Sequence, residues 1–467
     1  MIDYTATYTD QYQLTMSQVY FLKGQKENKA VFDYFFRSLP FNSGYAIYAG
    51  LEDLLSILET LHFDQKDLEF LKNNGYHPEF IEYLRNFKFK GTIYSSHEGD
   101  VIFPTRPVLQ VEGNIIEAQL IETILLNILN FQTLIATKAG RMKQAAGKAT
   151  LIDFGLRRAQ GPGGYYASRA AVIGGFDATS NVRAGRDYDI PVAGTMAHSF
   201  IESYEDEYKA FSHFAEVHPN NCVLLVDTYN TLQSGVPNAI RVGKEMENKG
   251  FRLKGIRIDS GDLAYLTKAS RKMLDDAGLD YVLISVSNQL DEYIIKSLRE
   301  QQAQIDVFGV GTSLVTGHPD AALDGVYKLA FANGRPTIKL SENIVKITLP
   351  HRKQVFRMLN GDGQFAGSDV VTLDGEQNID IMHHPLFPDK SLSIGHFEQE
   401  PLLEKVMENG VRLKEKQTLT QIAHYSRERL KKLPEEYKRF NYPHIYKIGL
   451  STKLINERDR LILKHKI

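Results

Sequence analysis

The stretch LKGIRIDSGDLAYLTKASRKMLDDAGLDYVLISVSN, residues 253–288, decides the fold class. Its two ends, LKGIRIDSG (253–261) and YVLISVSN (281–288), are short apolar runs that stop at polar residues, as buried strands do. Between them, DLAYLTKASRKMLDDAG (262–278) has the apolar spacing of an amphipathic helix. A strand, a helix and a second strand at this spacing predict two parallel strands joined by a crossover helix.

The same unit recurs through the middle of the chain. Seven apolar runs, each stopping at a polar or glycine cluster, lie at 149–155, 174–180, 190–198, 222–228, 253–261, 281–288 and 305–312. Seven consecutive units of this kind favour a (β/α) barrel over an open sheet. We therefore predict an α/β protein built around such a barrel.

The segments on either side of the barrel mix short strands with helices. Strand-like runs lie at 31–36, 92–96, 108–113, 326–341, 343–359 and 369–373, and helix-like runs lie at 49–61 and 115–146. We expect the early and late strands to pair, so that 1–140 and 325–400 form a discontinuous α+β flanking domain. The barrel then occupies 141–324, and 401–467 forms a C-terminal basic, mainly helical segment.

Composition excludes several classes of protein. The chain has 467 residues, of which 43% are hydrophobic, so a core can form without stabilising disulfides or metal ions. Its single cysteine, Cys222, excludes a disulfide framework and a cysteine-rich zinc site. The first sixteen residues lack the pattern of a secretory signal, and no run of eighteen apolar residues occurs. We expect a soluble, cytoplasmic protein that does not associate with a membrane.

The C-terminal segment carries a local excess of positive charge. The whole chain has a net charge of −2, whereas 411–467 contains 15 Lys and Arg against 6 Asp and Glu. Such a segment can bind nucleic acid, which leaves open a non-enzymatic nucleotide- or RNA-binding protein. The apolar spacing of Leu419, Ile422, Leu430 and Leu433 favours a packed helix with a solvated face instead. Because the segment lacks aromatic stacking motifs, we expect no nucleic-acid partner.

Polar residues gather where the predicted barrel strands end. They are Asp153, Arg157, Thr179, His198, Asp227, Arg257, Asp259, Asn288 and Thr312. The chemistry of barrel enzymes lies at the C-terminal ends of the strands. One aspartate at such a position is commonly a turn or helix-capping residue. This many converging groups instead indicate a functional site at the mouth of the barrel, the end at which the strands terminate.

Three motifs at this mouth suit an anionic ligand. GVGTSLVTG (309–317) offers backbone N–H groups of the kind that bind phosphate, and FGLRRAQGPGG (154–164) presents two adjacent arginines. In IRIDSGD, Arg257 and Asp259 share one face of a strand. That pair can grip a phosphate together with ribose hydroxyls or Mg²⁺, or can form a buried ion pair across the barrel.

His198 stands where a strand passes into a helix, and Asp227, one strand later, could hold its imidazole. A lone histidine at a helix start is also a common structural residue. A phosphosugar aldolase is another barrel enzyme to consider, but it would need a Schiff-base lysine at a strand end. The strand-end clusters from 149 to 312 contain none.

Taken together, the motifs resemble those of the nicotinate phosphoribosyltransferase family. The resemblance is carried by TDQYQLTM (9–16), FRSLPFNSGYAIYAGLEDLL (36–55), DFGLRRAQGPGG (153–164), GTMAHSF (194–200), LLVDTYNT (224–231), GIRIDSGDL (255–263), GVGTSLVT (309–316) and KLSENIVKITLPHRKQVFR (339–357). It implies an irregular (β/α) barrel of the type II phosphoribosyltransferase kind with a discontinuous flanking domain. It also implies synthesis of nicotinate mononucleotide and pyrophosphate from nicotinate and phosphoribosyl pyrophosphate, the first step of NAD salvage from nicotinate. The family couples this reaction to ATP through a phosphohistidine and uses Mg²⁺, whose ligands in this chain are unknown from the sequence.

The resemblance also implies roles for individual residues. His198 would be the phosphohistidine, oriented by Asp227, while Arg257 and Asp259 would bind the phosphoribosyl group. The other candidates are substrate-binding residues: Gly309, Gly311 and Thr312 for a phosphate, Arg37 and Arg157 for anions, Phe154 and Tyr12 for the two faces of the pyridine ring, and Thr179 and Asn288 at strand ends. Tyr12 would come from a partner subunit, which implies a homodimer with shared active sites. One departure is Pro350-His351, where the family has Pro-Gly.

Ser180 bears on the choice between nicotinate and nicotinamide. A relative that uses nicotinamide carries an aspartate at the position of Ser180, where it accepts a hydrogen bond from the amide. A hydroxyl can donate to a carboxylate, whereas an aspartate would repel it, so nicotinate is favoured. Asp177 lies three residues away and leaves a nicotinamide-using enzyme as the alternative.

Overall fold

A computed structural model describes residues 4–342, 346–387 and 389–465. The chain forms two compact units, one made of Met1–Thr137 with Ala322–Ile467 and the other of Lys138–Ala321. We call them the flanking unit and the barrel unit. Among the described residues, the structure contains no helix that is both long and apolar enough to cross a membrane.

The barrel unit is built on a parallel sheet of six strands. In chain order they are Thr150–Asp153, Ala178–Thr179, Val223–Leu225, Gly255–Ile258, Leu283–Ser287 and Val307–Val310. Across the sheet, the second strand is followed by the first, sixth, fifth, fourth and third, which is the cyclic order of a barrel. Thr179 adds a single bridge to Val192, and among the described residues no strand pairing joins Val192 to the third strand.

Helices connect these strands and cover the sheet. They are Gly163–Ile173, Val182–Tyr188, His198–Glu202, Glu207–Val217, Val236–Asn248, Leu263–Asp276, Glu292–Glu300 and Thr312–Val315. Leu224, Ile256 and Ile284 of three successive strands are completely buried in the core between sheet and helices. The helix after the fourth strand begins where Asp262 accepts a hydrogen bond from Tyr265 N, a side-chain N-cap.

Two of the predicted barrel strands are much shorter than the sequence suggested. The strand expected at 174–180 is reduced to Ala178–Thr179, and the strand expected at 190–198 is only the bridge at Val192. Pro191 cannot donate a ladder hydrogen bond and Gly194 weakens a strand, so the backbone leaves the sheet there. His198 consequently begins a short helix instead of ending a strand.

The flanking unit contains two large sheets. The seven-stranded sheet comprises Lys29–Phe36, Thr92–Ser95, Leu109–Asn114, Gly325–Ala332, Arg335–Pro336, Glu404–Glu408 and Val411–Arg412. The six-stranded sheet comprises Lys353–Leu359, Phe365–Leu373, Ile381–His383, Ser391–Ser393, Glu398–Pro401 and Lys447–Ser451. A further pair is Ala46–Ile47 with Val101–Ile102. The antiparallel pairing of Lys29–Phe36 with Gly325–Ala332 joins the two parts of the chain that form this unit.

Helices of the flanking unit are Gln11–Leu22, Leu51–Thr60, Gln65–Asn73, Pro78–Arg85, Ile115–Leu120, Leu419–Lys432 and Thr452–His465. The helix expected over 115–146 is divided, because Ile121 interrupts it before the helix Glu122–Ala146 continues into the barrel unit. The strand expected at 343–359 occupies only Lys353–Leu359, and residues 343–345 lie outside the described residues.

Residues 401–467 belong to the flanking unit, whereas we expected a separate segment. The strand Glu404–Glu408 pairs with Thr92–Ser95, and Lys447–Ser451 pairs with Phe365–Leu373. Nor do all the positively charged residues of this segment face solvent. Arg429 is only 4% exposed and forms ion pairs with Asp100 and Glu400. The segment therefore completes the flanking unit through buried contacts that are remote in sequence.

Candidate active site

A cavity of about 900 Å³ lies at the C-terminal ends of the parallel strands. Ten of the residues singled out in the sequence line it: Phe154, Arg157, Ser180, His198, Arg257, Asp259, Asn288, Gly309, Gly311 and Thr312. They come from six different connections between strands and helices. The parallel topology thus gathers residues that span more than 150 positions of the sequence into one site.

Two aspartates at neighbouring strand ends are held by hydrogen bonds. Asp227 Oδ2 accepts from the backbone N of Asp259 at 3.0 Å and from Ser260 Oγ at 2.6 Å. Ser287 Oγ donates to Asp259 Oδ1. Asp227 Oδ1 is buried and has no hydrogen-bond partner among the described residues. These contacts hold the backbone and one carboxylate oxygen of Asp259, and they leave Oδ1 of Asp227 without a partner among the described residues.

His198 is held by a residue that the sequence did not suggest. Its Nδ1 lies 3.1 Å from Thr228 Oγ1, and its Nε2 lies 3.8 Å from Asp259 Oδ2. Asp227 was expected to orient this imidazole, but its hydrogen bonds in the described structure go to Asp259 and Ser260. The reason is local, because the backbone of the next strand end captures the Asp227 carboxylate and the following residue, Thr228, reaches the imidazole.

Arg257 projects from its strand into the same site. Its Nη1 donates to Thr195 Oγ1 at 2.7 Å, and its guanidinium lies 6.0 Å from the centre of the Phe154 ring. Burial lowers the pKa of Arg257, and the carboxylates of Asp259 and Asp227 act in the opposite direction. The Nε atom is buried with no hydrogen-bond partner among the described residues. A partly buried cation whose Nε donor is unused is suited to an anionic ligand.

Gly309 has a clear steric reason to be glycine. A Cβ atom at this position would lie 2.3 Å from Cε2 of Phe154, closer than any real Cβ contact. A Cβ at Gly311 would lie 3.3 Å from Phe154 O. Gly309, expected to contact a phosphate, therefore also makes room for the ring of Phe154. Thr312 follows at the start of a short helix, Thr312–Val315.

Thr179 does not line the cavity, although we expected it to bind substrate. Its side chain is fully buried, and its hydroxyl donates to Asp153 Oδ2 at 2.8 Å. Asp153 is buried as well, which raises the pKa of its carboxyl against the effect of its hydrogen bonds. Thr179 and Asp153 therefore belong to the layer behind the cavity.

Several lining residues were given no individual role in the sequence analysis: Arg158, Thr195, Ser287, Gln289, Asp291 and His318. Arg158 is the second arginine of a pair whose first member was assigned, so the adjacent charge was a usable signal. Asn288 and its neighbour Gln289 both have positive φ, 90° and 48°, which is uncommon for residues other than glycine. Both residues line the cavity from this unusual turn, which no sequence pattern reveals.

The comparison with known proteins identifies the chain's relatives. A nicotinate phosphoribosyltransferase of Bacillus subtilis (strain 168) is 46% identical over 459 residues, covering 96% of this chain and 93% of that protein. The chain belongs to the nicotinate phosphoribosyltransferase family. Three family models match: the nicotinate phosphoribosyltransferase N-terminal domain at 7–130, the nicotinate phosphoribosyltransferase family at 149–367, and the C-terminal domain at 352–458.

Solved structures agree with this membership. Human nicotinic acid phosphoribosyltransferase matches with a TM-score of 0.87 at 31% identity, covering 97% of this chain and 99% of that chain. A nicotinate-nucleotide pyrophosphorylase from Pyrococcus furiosus matches with a TM-score of 0.72 at 26% identity, covering 91% and 95%. The predicted α/β fold of the type II phosphoribosyltransferase kind is confirmed by these matches and by the parallel sheet.

The residues that line the cavity bear on two alternatives, a Schiff-base aldolase and a nicotinamide-using enzyme. None of the described residues that line the cavity is a lysine, so a Schiff-base aldolase has no nucleophile there. Asp177, which kept a nicotinamide-using enzyme open, is engaged elsewhere. Its Oδ2 accepts from Leu151 N at 2.9 Å and from Lys143 Nζ at 3.2 Å, whereas Ser180 lines the cavity.

The flanking unit holds the two remaining candidates, Arg37 and Tyr12. Arg37 Nη1 lies 3.9 Å from Asp324 Oδ1. Burial lowers the pKa of Lys328, and the charges of Arg37 and Lys339 lower it further while Glu122 opposes them. Arg37, Lys328 and Lys339 thus form a cluster of three cations that the sequence analysis missed. Tyr12 lies on the first helix and is 48% exposed.

Proposed function

We propose that this chain makes nicotinate mononucleotide and pyrophosphate from nicotinate and phosphoribosyl pyrophosphate, the first step of NAD salvage from nicotinate. The observation that carries the proposal is the cavity in which Phe154, Arg257 and Asp259 meet at the strand ends of a family member. The pyridine nitrogen attacks the anomeric carbon with its own lone pair, so no general base is needed. The carbon–nitrogen bond forms as the carbon–oxygen bond to pyrophosphate breaks.

The charges of the site suit this displacement. A loose transition state places positive charge on the ribose and negative charge on the departing pyrophosphate. Asp259, fixed by Ser287 and by the contact of its backbone with Asp227, accepts from ribose hydroxyls and stabilises the positive ring. Arg157 and Arg257 bind the anionic groups. The backbone N–H groups of the loop after Gly309 bind the 5′-phosphate, with Asn288 on the adjoining strand end.

Nicotinate fits between Phe154 and Ser180 in this arrangement. The Phe154 ring stacks on the pyridine, and the Ser180 hydroxyl donates to the carboxylate. The opposite charge of Arg257, 6.0 Å from the Phe154 ring, favours an acidic ring substituent over an amide. The alternative, a nicotinamide-using enzyme, has less support because no carboxylate other than those of Asp259 and Asp291 lines the described part of the cavity.

We propose that Mg²⁺ binds at this site through few protein ligands. The described residues include no cluster of three or more histidine, cysteine or acidic side chains that could hold a metal. Mg²⁺ in phosphoryl chemistry is commonly bound by one or two carboxylates together with substrate phosphates, so fewer ligands suffice. The unpartnered Oδ1 of Asp227 and the carboxylate of Asp259 fit that pattern. When bound, the ion supplies positive charge to the pyrophosphate oxygens.

ATP coupling would operate through His198. The imidazole lines the cavity, its Nδ1 is held by Thr228, and its Nε2 lies beside Asp259. A ring nitrogen attacks the γ-phosphorus of ATP, the nitrogen–phosphorus bond forms, and ADP leaves as the phosphorus–oxygen bond breaks. Arg157 and Arg257 are available to neutralise the triphosphate during this transfer.

A homodimer with shared active sites is the assembly we propose. The first helix, Gln11–Leu22, exposes Tyr12, Met16 and Val19 along one face, together with Leu22 near its end. Such an apolar stripe on a helix is typical of an interface. Family membership supports a position for Tyr12 over the pyridine ring bound by the partner, with Arg37 near the same anionic substrate.

A cytoplasmic location suits the single free, buried Cys222, because disulfides are rare in the cytoplasm.

One assay tests the proposed reaction against its rivals. Purified protein is mixed with phosphoribosyl pyrophosphate and Mg²⁺, and pyrophosphate release is followed after addition of nicotinate, of nicotinamide or of neither. We expect release that depends on nicotinate. Release only with nicotinamide would support the alternative enzyme, and no release together with salt-sensitive retention on immobilised nucleic acid would support a binding protein.

A further inference from the structure

A buried network of polar side chains lies directly behind the cavity. Asp153, the last residue of the first barrel strand, is only 1% exposed. Its Oδ2 accepts from Ser168 Oγ at 2.7 Å and from Thr179 Oγ1 at 2.8 Å. Its Oδ1 accepts from Gly155 N at 2.8 Å. Three donors satisfy this carboxylate, because a polar group removed from water needs hydrogen-bond partners inside the protein.

The network joins the two segments that would bind the pyridine ring. Gly155, which donates to one carboxylate oxygen, directly follows Phe154. Thr179, which donates to the other, directly precedes Ser180, and the backbone N of Ser180 donates to Asp153 O at 2.8 Å. The side chain and the backbone of Asp153 therefore tie the Phe154 segment to the Ser180 segment.

The hydroxyl of Thr179 has three partners in this network, one of which is Ser168 Oγ at 3.2 Å. It donates to Asp153 and accepts from Asn181 N at 3.0 Å, so it fixes the backbone on both sides of Ser180. Ser168 comes from the helix Gly163–Ile173, and its hydroxyl is also 3.0 Å from Gly164 O. A helix, two strand ends and a turn thus meet on one carboxylate.

We propose that Asp153, Ser168 and Thr179 are positioning residues for nicotinate: they set the spacing between the Phe154 ring and the Ser180 hydroxyl. None of them touches the substrate. Their effect is on the pyridine ring and its carboxylate, because Arg257, Asp259 and Asn288, proposed for the phosphoribosyl substrate, belong to other strand ends. Arg157 follows Gly155 in the same connection but takes no part in the hydrogen bonds described above. This inference rests on the proposed binding of nicotinate between Phe154 and Ser180.

A pair of substitutions at Thr179 tests the proposal. Thr179→Val keeps the shape of the side chain and removes the hydroxyl, whereas Thr179→Ser keeps the hydroxyl. Displacement of the Ser180 hydroxyl in the valine variant should cost one hydrogen bond to the nicotinate carboxylate, so we expect KM for nicotinate to rise about tenfold. KM for phosphoribosyl pyrophosphate should change by less than about twofold in the same variant, and the serine variant should restore KM for nicotinate.

A buried threonine outside the network supplies the matched control. Thr267 is fully buried in the helix Leu263–Asp276, where its hydroxyl donates to Leu263 O at 2.7 Å. Thr267→Val should lower thermal stability to a similar degree and leave the ratio of the two KM values unchanged. If Thr179→Val does not fold, Ser168→Ala removes a single donor from Asp153 and is expected to shift the same ratio in the same direction.

Phe154→Ala and Ser180→Ala separate failure of this inference from failure of the site. If both raise KM for nicotinate while Thr179→Val and Ser168→Ala behave like Thr267→Val, the nicotinate site stands and the network is merely structural. If Phe154→Ala and Ser180→Ala leave KM for nicotinate unchanged, the proposed site itself is wrong. If the network variants raise both KM values equally, the positioning role specific to nicotinate is overturned.

Discussion

Gly309 leaves the space that the ring of Phe154 fills: a Cβ atom at residue 309 would lie 2.3 Å from Cε2 of that ring. The two residues end neighbouring parallel strands, since Val310 pairs with Asp153 in the sheet. The orientation of Phe154, and with it one face of the proposed pyridine site, therefore depends on the absence of a side chain one strand away.

Gly309→Ala should move the Phe154 ring and weaken nicotinate binding. Overpacking of this kind costs about 1–3 kcal/mol, so we expect KM for nicotinate to rise roughly tenfold. Steady-state kinetics against each substrate checks this. Gly361→Ala is the matched control, because a Cβ at Gly361 meets nothing within 4 Å. A Gly309→Ala enzyme with unaltered kinetics would show that the ring is free to adapt.

His198 should carry the phosphoryl group from ATP. Protein incubated with γ-labelled ATP is expected to hold acid-labile phosphate, and His198→Ala should abolish both the label and the stimulation by ATP. A slower, uncoupled synthesis should remain, because the displacement itself needs no histidine. His318 also lines the cavity, and His318→Ala should retain the label. Label that survives in His198→Ala would remove this residue from the role.

Arg429 should stabilise the flanking unit through its buried ion pairs with Asp100 and Glu400. Removing one partner of a buried pair costs about 3–5 kcal/mol, so Arg429→Ala should lower the free energy of unfolding by that amount. Arg427 is exposed on the same helix, and Arg427→Ala should change stability by less than about 0.5 kcal/mol. Chemical denaturation of the two variants compares them directly, and equal losses would contradict the buried role.

The same pairs imply a dependence of stability on pH. Burial by itself would raise the pKa of Asp100, but Arg357 and Arg429 together lower it. Because the folded pKa lies below the unfolded value of about 3.9, the stabilisation is complete above that pH and is lost as the pH falls through the folded pKa. The wild-type protein should thus lose stability in acid, and Arg429→Ala should lose less. A steeper acid loss in the variant would contradict this assignment.

Each active site should combine residues of two chains. Tyr12→Ala and Asp259→Ala should each be nearly inactive alone. When the two are unfolded and refolded together in equal amounts, roughly half of the dimers are mixed, and one of the two sites in each is intact. Activity should recover to about a quarter of the wild-type value. If subunit exchange is verified and nothing recovers, Tyr12 serves its own chain.

The sequence predicted the cavity better than the contacts within it. The first polar residue after each apolar run marks where a parallel strand leaves the core, which is why Arg257, Asp259 and Asn288 were found in the right place. Which neighbour each side chain contacts depends on packing between strands. Asp227 was paired with His198 in the prediction, but the backbone of Asp259 binds it and Thr228 holds the imidazole.

The remaining errors share a physical cause. Thr179 was taken for a substrate contact because it ends a strand, whereas its hydroxyl is matched to the buried Asp153. The basic segment 411–467 was assigned a solvated face, whereas its Arg429 pairs with Asp100, 329 residues earlier in the chain. Polar residues that satisfy one another inside the fold have the same composition as those that face a ligand, and only the tertiary partner distinguishes them.

The central claim is that the cavity accepts nicotinate in preference to nicotinamide, and Ser180 is the residue that tests it. Ser180→Asp places a carboxylate near the acidic substituent, so nicotinate should be disfavoured relative to nicotinamide by a factor on the order of ten or more. Asp177→Asn is the matched control, because that carboxylate is bound to Leu151 N and Lys143 and should not affect the choice.

The most direct measurement is a competition in one tube. Enzyme, ATP, Mg²⁺ and phosphoribosyl pyrophosphate are mixed with equal concentrations of nicotinate and nicotinamide, and the two mononucleotides are separated and quantified. Their initial ratio gives the ratio of the two kcat/KM values. We predict nicotinate mononucleotide as the dominant product, formed in equal amount with pyrophosphate, and a shift towards nicotinamide mononucleotide in Ser180→Asp. Nicotinamide mononucleotide as the main wild-type product, or neither mononucleotide, would contradict the account.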